Sequence, residues 1–183
     1  MSNAEPVRFD LATGQVETDA GERLLLIPHS VLDELAETEG MQTASRLARG
    51  IGASIGRRVA GKLGSIDGVR GASLEAFVTE LALQMAISGW GSPSLERWGK
   101  AMVVSVDHAP VKERGLVAAL VESTVGAAAD REVHGVVLAG GGPVRVLLTS
   151  AKGAVQVRGW MAEGVSGGEI IARLHVAAIG AGE

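Results

Sequence analysis

The chain has 183 residues, of which 46% are hydrophobic and 3% aromatic, so it can bury one core of ordinary size. It contains no cysteine, which excludes disulfides, thiolate nucleophiles and zinc–thiolate sites, and we expect a reducing, cytoplasmic location. The net charge of −4 argues against nucleic acid as a partner, and the absence of any run of about 18 apolar residues argues against a membrane span.

The first 40 residues predict a small β unit followed by a helix. The stretches 8–11 and 15–18 flank Ala-Thr-Gly and indicate a hairpin. The apolar run 24–27 indicates a strand that ends at Pro28. Ser30 has the side chain of a helix N-cap, and its helix is expected to end near Gly40.

Residues 41–64 predict a long helix that contains an unusual number of glycines. Four interior glycines would together cost about 4 kcal/mol relative to alanine, so close packing must compensate. Small residues recur at every fourth position, at Ala44, Ala48, Gly52, Gly56, Ala60 and Gly64. Such a ridge lets another backbone approach closely. We expect Gly52, Gly56 and Ala60 to form an interface, either within the chain or between two copies.

Charge is distributed unevenly between the first two segments. Residues 1–40 hold nine acidic residues and two arginines, a net charge of −7, whereas 41–64 hold five basic residues and no acid. We expect the two segments to pair with each other. The alternative is a site for a phosphate or an acidic partner.

The middle of the chain predicts a loop, a helix and a hairpin. Residues 65–71 have the composition of a loop, and Ser73 is expected to cap a helix that ends at Gly89. The segments 94–98 and 101–107 form a hairpin pattern around Gly-Lys, with apolar residues alternating in the second strand.

The rest of the chain predicts a helix over 112–130, a hairpin over 133–149 and two short helices. The last helix begins at a capping box, Ser166-Gly-Gly-Glu169. Because hairpins alternate with helices, the pattern indicates an α+β fold with an antiparallel sheet.

Two motifs within the glycine-rich helix suggest enzyme chemistry but lack its context. Gly52-Ala-Ser54-Ile-Gly56 matches the nucleophile elbow of hydrolases, which requires a strand before the serine. The nearby glycines almost match a dinucleotide fingerprint, but the spacing is one residue too long. We therefore expect Ser54 to bond within its own helical turn, and we expect no catalytic residues and no enzyme.

Histidines and tryptophans give weaker indications. The histidines have no paired spacing, so we predict no metal site and no cofactor. The tryptophans at 90 and 98 bracket a predicted strand, where they fit a core or an apolar binding site.

Residues 20–150 resemble the 4-vinyl-reductase-like domain, which is related to core subunits of the transport protein particle (TRAPP) that tethers vesicles. The resemblance rests on the glycine-rich helix, the apolar helix that ends in Gly-Trp-Gly, the two hairpins and the alanine-rich helix between them. It implies a twisted antiparallel sheet with helices packed on one side. We expect 1–150 to form one domain and 151–183, which lie beyond the resemblance, to form a helical extension suited to a protein partner.

Members of that family bind small hydrophobic molecules or act as dimeric assembly modules. Many carry cysteines in the closing hairpin, where this chain has Gly-Gly-Gly-Pro, so acylation and cysteine-based metal binding are not carried over. We expect a non-catalytic homodimer that binds a small apolar ligand. The alternative is a homodimeric scaffold without a ligand. The predicted ligand-binding residues are Phe77, Leu81, Met85, Trp90 and Trp98.

Overall fold

The computed structural model describes residues 6–98 and 101–180, and only the backbone of Trp98 and of 175–180. Its strands are β1 (Val7–Asp10), β2 (Gln15–Thr18), β3 (Arg23–Leu24), β4 (Ser92–Trp98), β5 (Ala101–Asp107), β6 (His134–Val137) and β7 (Val144–Thr149). Its helices are α1 (Ser30–Thr38), α2 (Met41–Lys62), α3 (Ile66–Gly71), α4 (Leu74–Ile87), α5 (Arg114–Ala129), α6 (Ala151–Ala162) and α7 (Gly167–Gly180).

Two antiparallel sheets confirm the α+β prediction. The small sheet has the order β1-β2-β3, and the main sheet has the order β4-β5-β7-β6. In the main sheet Val104 pairs with Leu95 on one side and with Val146 on the other. Residues of both predicted hairpins therefore form one continuous sheet, although Gly99 and Lys100 of the first turn lie outside the described residues.

The main sheet is buried on both faces because apolar residues occupy both sides of its central strands. Val104, Val106 and Val146 join the core beneath α2, α4 and α5. Their neighbours Val103 and Leu147 point the opposite way and join Val157 and Ile170 of the C-terminal helices. The helices α2, α4 and α5, which belong to the region that resembles the family, thus lie on one face of the sheet, and α6 and α7 cover the other. Whether 151–183 form a separate extension stays a prediction.

The glycine ridge of α2 packs against α5 of the same chain. A Cβ at Gly52 would collide with the carbonyl oxygen of Leu120, and one at Gly56 with the carbonyl oxygen of Thr124. Ala60 is buried on the same helix. Of the two expected arrangements, packing within the chain or between copies, the ridge therefore has the first, because only hydrogen atoms at positions 52 and 56 let the backbones of α2 and α5 come so close.

Several predicted boundaries differ from the structure. The segment expected to be a loop contains the short helix α3, capped by Ser65, whose Oγ accepts a hydrogen bond from the Gly68 N–H at 3.2 Å. The strand expected over 24–27 is reduced to the end of β3, and His29 rather than Ser30 occupies the N-cap of α1. Ser30 makes no cap bond because it already lies inside the helix.

Candidate functional site

A cavity of about 240 Å³ lies between the main sheet and the helices on its first face. We call it the helix–sheet cavity. Its helical walls are Val69 of α3, Phe77, Val78 and Leu81 of α4, and Val125 and Ala129 of α5, and its floor includes Leu95, Met102, Val104 and Leu148 of the strands. Three helices and three strands of this fold therefore build one apolar cavity that is partly open to solvent.

The chemistry of the helix–sheet cavity is almost wholly apolar. None of the described side chains that line it is charged, and the hydroxyl of Ser94 is its one polar side-chain group. Ser94 Oγ donates a long hydrogen bond of 3.5 Å to the carbonyl oxygen of Ser105. An uncharged molecule with at most one polar atom suits this lining, because an ionised group would lose its hydration without finding a partner.

Two of the five predicted ligand-binding residues, Phe77 and Leu81, line this cavity. Met85 is fully buried in the core and lines neither this cavity nor the one beside Trp90. Trp90 lines that second cavity, which is described below. The side chain of Trp98 lies outside the described residues.

Sequence reasoning missed the strand and α5 residues of the cavity. Met102 and Val104 belong to the alternating run of β5, so alternation alone places them on one face of the sheet. Leu148 and Val125 carry no comparable signal, because their approach to the cavity depends on how β7 and α5 pack.

A polar cluster, which we call the Arg58 cluster, lies near the other end of α4. Arg58 donates hydrogen bonds from Nε to Gln84 Oε1 at 2.8 Å, from Nη1 to Glu22 Oε2 at 3.0 Å and from Nη2 to Ser88 Oγ at 2.6 Å. Ser54 Oγ donates to Glu22 Oε1 at 2.9 Å. The hydroxyl expected to bond within its own turn therefore bonds across to another segment.

The Arg58 cluster also changes the titration of Glu22. Burial raises the pKa of the Glu22 carboxyl, but hydrogen bonds from Arg58 and Ser54, together with the charges of Arg58 and Arg57, outweigh it. The net result is a pKa below the ordinary value of 4.5. Asp19 forms a second ion pair, with Lys62. The predicted pairing of the acidic N-terminal segment with the basic helix is thus confirmed.

The described histidines do not converge on a metal site. His134 Nε2 lies 3.0 Å from Glu132 Oε1, and His29 Nδ1 lies 3.7 Å from Asp33 Oδ2. His108 is exposed and has a φ of 56°. No group of three metal-binding side chains occurs among the described residues.

Comparisons with known proteins bear on the fold. No family model matches the chain, and no curated protein matches it. Among solved structures it is similar to the phenol-responsive sensory domain of the transcription activator PoxR, determined with phenol. The TM-score is 0.56 at 16% sequence identity, and the match covers 93% of this chain and 92% of that one. In the described part of the chain, no helix is both long and apolar enough to cross a membrane. The likeness to the PoxR domain is a likeness of fold alone.

Proposed function

We propose that the chain is a non-catalytic module that binds a small, uncharged, apolar molecule in the helix–sheet cavity. The observation that carries the proposal is the combination of a defined volume of about 240 Å³ with a lining that contains no charged side chain among its described residues. An apolar cavity of about 150 Å³ is sufficient to bind benzene. A one-ring aromatic or a compact aliphatic molecule is therefore the size class that fits.

The fold supports the same proposal, because the similar PoxR domain is described as phenol-responsive. A ligand here would contact Phe77 and Leu81 from α4 and the β5 residues Met102 and Val104. Burial of its apolar surface at roughly 25 cal/mol per Å² would provide most of the affinity, and Ser94 offers one hydrogen bond.

Isothermal titration calorimetry with toluene and phenol tests the proposal, with benzylammonium as a charged probe of similar size. We expect the neutral probes to bind and benzylammonium not to bind. Ala129→Phe should weaken toluene binding at least about tenfold, since the new ring fills the cavity from its α5 wall.

The matched control is Ala76→Leu, an enlargement on the exposed side of α4 that is not part of the lining. Its affinity for toluene should equal that of the parent protein. Failure of every neutral probe to bind, or unchanged affinity in Ala129→Phe, would contradict the proposal.

Dimerisation stays a prediction. So do a protein partner at the C-terminal helices and a relationship to the transport-particle subunits. The ridge that motivated the dimer packs on α5 instead. Sedimentation equilibrium at micromolar concentration tests for the dimer directly.

A further inference from the structure

A second cavity, of about 390 Å³, lies between the segment 22–29 and the helices α2 and α4. We call it the arginine cavity. Much of its lining is apolar and includes Leu24, Leu32, Ile51 and Trp90. Trp90 is only 3% exposed, so its ring forms a fixed part of the wall. The helix–sheet cavity is lined by other residues, which makes the two sites distinct.

The lining of the arginine cavity also contains polar side chains, among them Arg58 with its guanidinium group. The side chain of Arg58 is 10% exposed, and it is held by hydrogen bonds to Gln84, Ser88 and Glu22. A planar guanidinium group fixed from several directions is preorganised to bind a carboxylate.

The carboxylate that now occupies this position belongs to Glu22, whose side chain is 40% exposed. Glu22 lies in the short link between β2 and β3, and the small sheet contributes no residue to either core cluster. The position of Glu22 therefore depends on polar contacts, which a competing carboxylate can replace. Arg23 also lines the cavity. Among its described residues, the lining therefore contains two arginines and a histidine but only one carboxylate, that of Glu22.

We propose that the arginine cavity binds a small amphipathic monocarboxylate, with its carboxylate on Arg58 in place of Glu22 and its apolar part against Trp90 and Ile51. The volume and the lining of the cavity carry the inference. Apolar side chains together with one fixed cation match a molecule with a single ionised head and a hydrocarbon tail. This site is independent of the one proposed for neutral ligands.

Calorimetry with sodium octanoate and with 1-octanol, its neutral counterpart, tests the inference. In the Glu22→Gln protein, where no carboxylate has to be displaced from Arg58, octanoate should bind at least about tenfold more tightly than octanol, because a charge-assisted hydrogen bond is worth about 1.5–3 kcal/mol. Glu22→Gln should tighten octanoate binding severalfold, since it removes the competing carboxylate and leaves Arg58 in place. Adding Arg58→Gln to the Glu22→Gln protein should weaken octanoate binding about tenfold and abolish the preference over octanol.

Two controls make the result decisive. Arg46→Gln removes an exposed cation of α2 that does not line the cavity, and should leave octanoate affinity within about twofold. Ala129→Phe should also leave it unchanged.

Unchanged or weaker binding in Glu22→Gln would overturn the inference, even if Arg58→Gln fails to fold. Equal binding of octanol and octanoate by the Glu22→Gln protein would do the same. So would loss of octanoate binding in Ala129→Phe, because that would place the probe in the helix–sheet cavity.

Discussion

At the scale of single residues, the glycines of α2 fall into two groups. Positions 52 and 56 face the backbone of α5, where a methyl group has no room. Positions 50 and 61 have nothing within 4 Å of the place where a Cβ would lie. Close packing therefore requires two of the four glycines, and the other two reduce helix stability without a contact in return.

Alanine substitutions should separate the two groups. Gly50→Ala and Gly61→Ala should each raise the free energy of unfolding by about 0.5–1 kcal/mol, because alanine restricts the unfolded chain and favours the helix. Gly52→Ala and Gly56→Ala should lower it by at least about 1–3 kcal/mol, because the added methyl overlaps a carbonyl oxygen of α5. Urea unfolding of the four variants measures these changes, and equal effects at all four positions would contradict the assignment.

Residue chemistry predicted some helix caps and missed others for a local reason. Ser73 and Ser166 accept hydrogen bonds from backbone N–H groups three residues later, as their sequences predict. Ser65 does the same, but it begins a six-residue helix that contains two glycines and has no apolar periodicity. Ser30 has a side chain that is typical of an N-cap, but in the structure His29 is the N-cap. The difference depends on the path of the backbone after Pro28, which the side-chain type of Ser30 does not indicate.

At the scale of elements, the small N-terminal sheet is attached to α2 by charge rather than by apolar contact. Glu22 pairs with Arg58 at 3.0 Å, and Asp19 pairs with Lys62. Thr18 is the one described residue of β1–β3 that is fully buried. Sequence alone predicted the pairing of the two segments, because opposite net charges lie next to each other along the chain. It could not choose the partners, which depend on the position of the β2–β3 link over α2.

This attachment should depend on pH. The pKa of Glu22 is lowered in the folded protein, so its stabilising contribution is complete above the unfolded pKa and is lost as pH falls through the folded pKa. The difference in unfolding free energy between the parent protein and Glu22→Gln should therefore be largest above about pH 5 and shrink below the ordinary value of 4.5.

Urea unfolding between about pH 3 and pH 7 measures that difference, because this interval brackets the ordinary pKa of 4.5 for the Glu22 carboxyl. Glu34→Gln, at an exposed position of α1, is the control and should have a small effect throughout. A difference for Glu22→Gln that stays constant or grows as pH falls would contradict the role given to its carboxylate.

At the scale of the whole molecule, the main sheet separates two apolar clusters. The larger cluster joins α2, α4 and α5 to one face, and the smaller one joins α6 and α7 to the other. The alternating pattern of β5 could be recognised from sequence, and it placed Val104 and Val106 together. Which helices cover each face could not be predicted, because apolar stripes on helices do not specify their partners. The family resemblance ended at residue 150, so it gave no position for α6 and α7, which form a second helical layer on the other face of the sheet.

The second layer should be part of the cooperative fold. Ile170→Ala removes a side chain that is 1% exposed and packs with Val103 and Leu147 of the sheet, so it should lower the unfolding free energy by about 2–5 kcal/mol. Val155→Ala, on α6 at 68% exposure, should change it by less than about 0.5 kcal/mol. In a Trp160→Phe background the remaining tryptophans report on residues before 151. If Ile170→Ala leaves their urea transition unchanged, then residues 151–183 are a separate extension, as first expected. A shift of that transition to lower urea makes them part of one folding unit.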